Sequence, residues 1–211
     1  MNWKRRLLLG GLRSLLKLLT RCEGSGQENI PAGGPLIVVF NHIAHLDAPL
    51  VIAQMPFEVE AIALADLYDV PVTGQLLRLY GVIPLHRDQY DREVLRRALQ
   101  VLAEGKVLAL APEARQSPTL SMELGRSGAA YLALRSGAPL LPVAITGTET
   151  VYSALRHLQR PHLTVDIGVL FHLNGPLARG AERHAQLETG REEIMRRIAV
   201  LLPQEYRGVY T

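Results

Sequence analysis

A histidine placed directly after a buried apolar run, with an aspartate five positions on, is the arrangement in this chain best suited to chemistry. Pro35-Leu36-Ile37-Val38-Val39-Phe40 runs into Asn41-His42-Ile43-Ala44-His45-Leu46-Asp47. An imidazole titrates near neutrality and so suits general-base work. It needs a partner to fix its tautomer and stabilise the imidazolium, and an aspartate does this in hydrolytic triads. In one continuous helix, positions five apart point about 140° from each other. A His42–Asp47 bond therefore predicts His42 in a loop and Asp47 in the first helical turn, where the helix dipole favours a carboxylate. Pro49 tolerates such an early helical position. His45 is the rival base and is read as a satisfied structural histidine. A His-x-x-His metal pair is the third reading, and no further ligand cluster supports it.

Two other apolar runs end in polar groups. Val82-Ile83-Pro84-Leu85 leads into His86-Arg87-Asp88, and Val107-Leu108-Ala109-Leu110 leads into Ala111-Pro112-Glu113-Ala114-Arg115-Gln116-Ser117. Taken singly, Arg87 and Arg115 read as surface arginines paired to Asp88 or Glu113. Taken together, on one edge of a sheet beside a His-Asp pair, they read as an anion site, because guanidinium matches phosphate bidentately. A Ser-His-Asp hydrolase would want a nucleophile elbow of the G-x-S-x-G type. None is present, and Ser117 and Ser121 lie outside such a context.

The elements that must position these groups alternate. Apolar β-branched runs at 35–40, 59–63, 82–85, 107–110, 140–145 and 163–171 read as strands. Helical patterns fall near 48–55, 72–80, 90–104, 122–136, 150–158 and 180–201. Strands that are apolar throughout are buried on both faces. The expected fold is a single α/β domain over residues 25–211. It has a mostly parallel sheet of about six or seven strands, with helices on both faces. Sites in such sheets form at the carboxyl ends of strands.

Residues 1–24 read as a basic amphipathic appendage. Leu7, Leu8, Leu12, Leu15, Leu16 and Leu19 recur at helical spacing, with Arg6, Arg13 and Lys17 opposite and Trp3 at the start. Arg13 and Lys17 break any spanning run, and Leu-Leu-Thr-Arg-Cys offers no secretory cleavage site. The expectation is a helix lying in a membrane interface, with an ordinary core-capping helix as the alternative. Six of the 23 basic residues lie in 1–21 with no acid among them, leaving 17 against 20 acids in the body. A slightly acidic body argues against nucleic acid as a partner. The single Cys22 excludes an internal disulfide framework or a cysteine-based metal cluster.

The motif set resembles the glycerophosphate acyltransferase family, typified by 1-acylglycerol-3-phosphate acyltransferase, over roughly residues 30–175. His42 to Asp47 is similar to its H-x-x-x-x-D box, and Gly81-Val82-Ile83-Pro84-Leu85-His86-Arg87 to its second motif. Pro112-Glu113 resembles the start of its P-E-G-T-R-S motif, and Ala138-Pro139-Leu140-Leu141-Pro142-Val143-Ala144 its fourth. The resemblance implies that His42 deprotonates an acceptor hydroxyl, which attacks the thioester of acyl-CoA or acyl-carrier protein, and that Asp47 orients His42. It places Arg87 and Arg115 on the acceptor phosphate and Glu113 in ordering their loop, with Asn41 and Gly81 also among the substrate-site residues. It implies no metal and no cofactor beyond the acyl thioester. It further implies a lysophospholipid-like acceptor and a peripheral location on the cytoplasmic face of a membrane. A catalytically inactive lipid-binding protein and an acyl-thioester hydrolase are the alternatives. Three positions depart from the pattern: Ala114 stands where the family has glycine, Gln116 where it has arginine, and Leu64 where relatives often have lysine. They bear on the loop's conformation and on phosphate contact.

Overall fold

The computed structural model describes residues 3–86 and 92–211. Seven strands form one sheet: β1 (Arg21–Glu23), β2 (Leu36–Phe40), β3 (Val59–Leu64), β4 (Ile83–Leu85), β5 (Val107–Leu110), β6 (Leu140–Thr146) and β7 (His162–Ile167). Their order is β1-β7-β6-β2-β5-β3-β4, and every neighbouring pair is parallel except β6 with β7. Helices α1 (Trp3–Leu19), α2 (Asp47–Gln54), α3 (Thr73–Tyr80), α4 (Arg92–Ala103), α5 (Gly128–Ser136), α6 (Val151–Arg156) and α7 (Glu182–Ala199) complete it.

Period-two alternation sorts the side chains of β2 between two cores. Ile37 and Val39 point into one with residues of α4, α5 and α7. Leu36, Val38 and Phe40 point into the other with residues of α1, α2 and α3. All five are buried, as an uninterrupted apolar strand requires in a doubly covered sheet. The central triplet β6-β2-β5 ends on one edge, so the residues following those strands converge there.

Several boundaries differ from the sequence reading. The helix expected at 122–136 starts at Gly128, because the chain ahead of it is claimed by other partners. Met122 N–H donates to Tyr206 O (2.8 Å), Gly125 N–H to Tyr210 Oη (3.2 Å) and Arg126 N–H to Pro112 O (2.7 Å). The last strand ends at Ile167 rather than Phe171, since Gly168 N–H turns to Pro142 O, and Phe171 regains only an isolated bridge to Leu140. Arg21-Cys22-Glu23 is an unexpected edge strand paired with β7. Residues 3–24 are thus joined to the body at both ends of the segment. Leu9 and Leu16 of α1 are buried. Arg5 makes a bidentate pair with Glu60 (2.8 Å for both bonds) and lies over the Tyr80 ring.

Candidate active site

Asp47 is the most tightly engaged side chain on the strand-end edge. It opens α2, is fully buried, and accepts four hydrogen bonds. Oδ2 takes His42 Nδ1 (2.9 Å), Ile43 N–H (2.6 Å) and Ala44 N–H (2.7 Å), while Oδ1 takes Thr148 Oγ1. The two backbone amides and the Thr148 hydroxyl fix the orientation of the Asp47 carboxylate towards His42. The ring of His42 then presents Nδ1–H to the carboxylate and leaves Nε2 for a substrate. The His42 side chain is about a quarter exposed, and Phe40 meets its ring edge-on at 6.3 Å. The loop-then-first-turn geometry expected from the spacing of five is the geometry observed.

The Pro112-to-Ser117 segment grips the backbone of His42 from the other side. Glu113 Oε1 accepts His42 N–H (3.0 Å) and Oε2 accepts Glu123 N–H (2.9 Å). Ser117 N–H donates to His42 O (2.8 Å), and Gln116 Nε2 to Ile43 O (2.9 Å). Both backbone polar groups of His42 are therefore fixed by the loop after β5, and its side chain by the helix after β2. Thr148, just after β6, closes the set. Ala114 adopts φ +55°, so the left-handed turn is kept with an alanine in place, at a cost of roughly 1–2 kcal/mol relative to an unstrained conformation.

Burial pushes the carboxyl of Glu113 from 4.5 up to about 7, opposed by the two amides and by His42. A raised folded-state value means the native protein holds this proton longer than the unfolded chain. Stability from this group is complete below pH 4.5 and is lost as pH rises through about 7, a change of order 3 kcal/mol. Glu113→Gln should abolish that part of the slope. Melting temperatures from pH 4.5 to 7.5 check this, and an unchanged slope in the variant contradicts it.

The remaining expected residues are placed differently. Asn41 is buried and exchanges two bonds with Ile145, donating from Nδ2 to its carbonyl (2.9 Å) and accepting its N–H at Oδ1 (2.8 Å). It extends the β2–β6 pairing by one side chain and so positions the loop rather than facing a substrate. Gly81, at φ +82°, ends α3 with its N–H on Leu77 O (2.8 Å), the conformation a helix-terminating glycine supplies. Arg115 is exposed and pairs with Glu123 rather than Glu113. His45 is exposed, which corrects its reading as a satisfied structural histidine. Arg87 lies outside the described residues. Among the described residues no group of three His, Cys, Asp or Glu side chains could hold a metal ion. Thr148 was missed by sequence reasoning: it lies 101 residues from its partner Asp47, and a lone threonine after a strand carries no motif.

The chain resembles known proteins in sequence and in fold. A family model described as acyltransferase matches residues 21–146. An uncharacterised protein of Mycobacterium bovis is 31% identical over 159 residues, covering 68% of this chain and 42% of that protein. The 1-acyl-sn-glycerol-3-phosphate acyltransferase of Borreliella burgdorferi is 26% identical, covering 61% and 52%. The chain thus spans about half or less of the length of these curated relatives. The crystal structure of the 1-acyl-sn-glycerophosphate acyltransferase of Thermotoga maritima superposes with a TM-score of 0.64 at 24% identity, covering 90% of this chain and 80% of that one. That likeness concerns the fold. With a family match over more than half its length, the chain belongs to the acyltransferase family.

Proposed function

We propose that the protein transfers a fatty acyl group from acyl-CoA or acyl-carrier protein to a hydroxyl of a lysophospholipid-like acceptor. The best candidate acceptor is 1-acylglycerol-3-phosphate, giving phosphatidate. The observation that carries this reading is the His42–Asp47 bond of 2.9 Å, with the carboxylate wholly buried and the imidazole partly open. In the reaction, His42 Nε2 takes the acceptor O–H proton as the oxygen attacks the thioester carbonyl. Asp47 holds Nδ1–H and stabilises the imidazolium. Collapse of the tetrahedral intermediate breaks the C–S bond, and His42 returns the proton to the departing thiolate.

The acceptor phosphate is assigned to Arg87. Arg115 is engaged by Glu123 and Gln116 by Ile43, which favours Arg87 over Arg115 for this role. Arg87→Ala is expected to raise the KM for a phosphorylated acceptor about 10- to 100-fold, the scale of a lost charged hydrogen bond, with little change for the acyl donor. Arg115→Ala, which loses an exposed ion pair, should stay within about fivefold. Steady-state kinetics on a panel of lysolipids with palmitoyl-CoA decides this. Unchanged KM in Arg87→Ala, or the larger effect at Arg115, would overturn the assignment.

A peripheral location on the cytoplasmic face of a membrane completes the proposal. No described helix is long and apolar enough to cross a bilayer. Trp3, Leu7, Leu15 and Leu18 of α1 are exposed, as are Leu76 and Leu79 on α3, which packs beside it. An exposed indole and leucines flanked by Lys4, Arg6 and Lys17 suit the headgroup boundary.

A further inference from the structure

We propose that a groove between the last turns of α1, strand β1 and helix α2 binds the phosphate of an anionic lipid headgroup. The inference rests on the membrane-surface reading above and adds a specific site to it. The groove is a cavity of about 420 Å³, lined by Arg13, Lys17, Arg21 and Arg160 together with Cys22 and Gln54. Its one acidic residue is Glu23, which faces His162 at 3.2 Å. None of the four cations has a carboxylate partner among the described residues.

Two of these cations are held in place by neutral groups. Arg13 donates to Ala53 O (2.9 Å) and Met55 O (2.7 Å). Arg160 donates to Lys17 O (2.8 Å) and to Thr20 O at the end of α1. Carbonyls fix a guanidinium's position without cancelling its charge. Lys17 and Arg21 are exposed alongside. Four positive charges face a single carboxylate around this concavity, and an anion relieves the excess repulsion among them. Guanidinium and ammonium groups match phosphate oxygens. Leu18, next to Lys17 on the last turn of α1, is exposed, and with Trp3 and Leu7 it forms the helix face proposed to meet the membrane. That combination favours a lipid headgroup, with acyl chains beneath it, over an acidic soluble protein. None of the lining residues belongs to the His42 site.

Cys22, the only cysteine, lies in the groove and is exposed, so it reports occupancy. The full-length protein is mixed with vesicles of phosphatidylcholine alone or with added phosphatidylglycerol, and co-flotation and the rate of maleimide addition to Cys22 are measured. The expected result is stronger co-flotation and slowed addition only with the anionic vesicles. Lys17→Ala/Arg21→Ala should weaken anionic binding about 30-fold, from the effect of two basic residues near a charged surface. Lys17→Arg/Arg21→Lys should retain it. Equal behaviour with both vesicle types, or full binding by the alanine variant, overturns the groove alone. Protection by soluble glycerol 3-phosphate or by acyl-carrier protein, without protection by anionic vesicles, also overturns it. No co-flotation with either vesicle overturns both the groove and the peripheral reading.

Discussion

Asp47→Asn should lower kcat by about 10²–10⁴, as should His42→Ala, the range expected when a general base is lost or misdirected. The two substitutions act by different routes. Alanine at 42 removes the proton acceptor. Asparagine at 47 keeps the volume but supplies only one acceptor oxygen where the aspartate uses two. Oδ2 alone serves His42 Nδ1, Ile43 N–H and Ala44 N–H, and Oδ1 serves Thr148. Whichever way the amide turns, an NH₂ faces a donor. If it faces Oδ2's partners, the histidine tautomer that leaves Nε2 free is no longer enforced. Thr148→Val is the milder control: it removes one bond and leaves three. Its kcat should lie between wild type and Asp47→Asn. Either catalytic variant retaining near-wild-type kcat in a folded state would refute the assignment.

The second large effect concerns the exposed face of α1. Trp3→Ser/Leu7→Ser/Leu18→Ser should lower the membrane-bound fraction, with partition falling roughly 50-fold or more. That follows if each side chain gains even half of the 1.5–3 kcal/mol that full burial supplies. Fold stability should change little, because these three residues are 65–70% exposed. Removing residues 1–21 altogether is a different experiment. It uncovers the core that Leu9 and Leu16 seal and leaves half-buried Glu60 without Arg5. It also deprives Ala53 O and Met55 O of Arg13. The truncated chain is therefore expected to unfold or aggregate rather than become a soluble enzyme. Flotation with liposomes and circular dichroism on both variants check this. A triple variant that floats like wild type would remove the interfacial role of α1.

These two predictions differ in how much of their basis could be read from sequence. The His42–Asp47 pair was legible because a spacing of five after a buried strand leaves few ways for the side chains to meet. The alternation of apolar runs with helical stretches likewise gave the layers of the fold. The first helix was only half legible. Its leucines lie on two faces, so periodicity showed an apolar helix without saying which face meets the core. The structure turns Leu9 and Leu16 inward and leaves Leu7, Leu15 and Leu18 outside. Strand β1 was invisible because its three residues are exposed and polar or small, and its pairing with β7 depends on a partner about 140 residues away.

The loop after β5 carries a similar lesson. Its residues look like anion ligands by type. Their partners are the backbone of His42 and Ile43 and the side chain of Glu123, which no linear pattern specifies. Asn41 was legible as part of a motif but not as the side chain that completes the pairing with β6.

Acyl transfer is proposed to depend on the imidazole of His42 as general base. Acyl-labelled palmitoyl-CoA, incubated with 1-acylglycerol-3-phosphate and purified enzyme, tests this directly when the label is followed by chromatography. Wild type should place it in the acceptor ester, and folded His42→Ala should leave it on the thioester. Label released as free fatty acid by wild type, or ester formed at an undiminished rate by His42→Ala, would contradict the account.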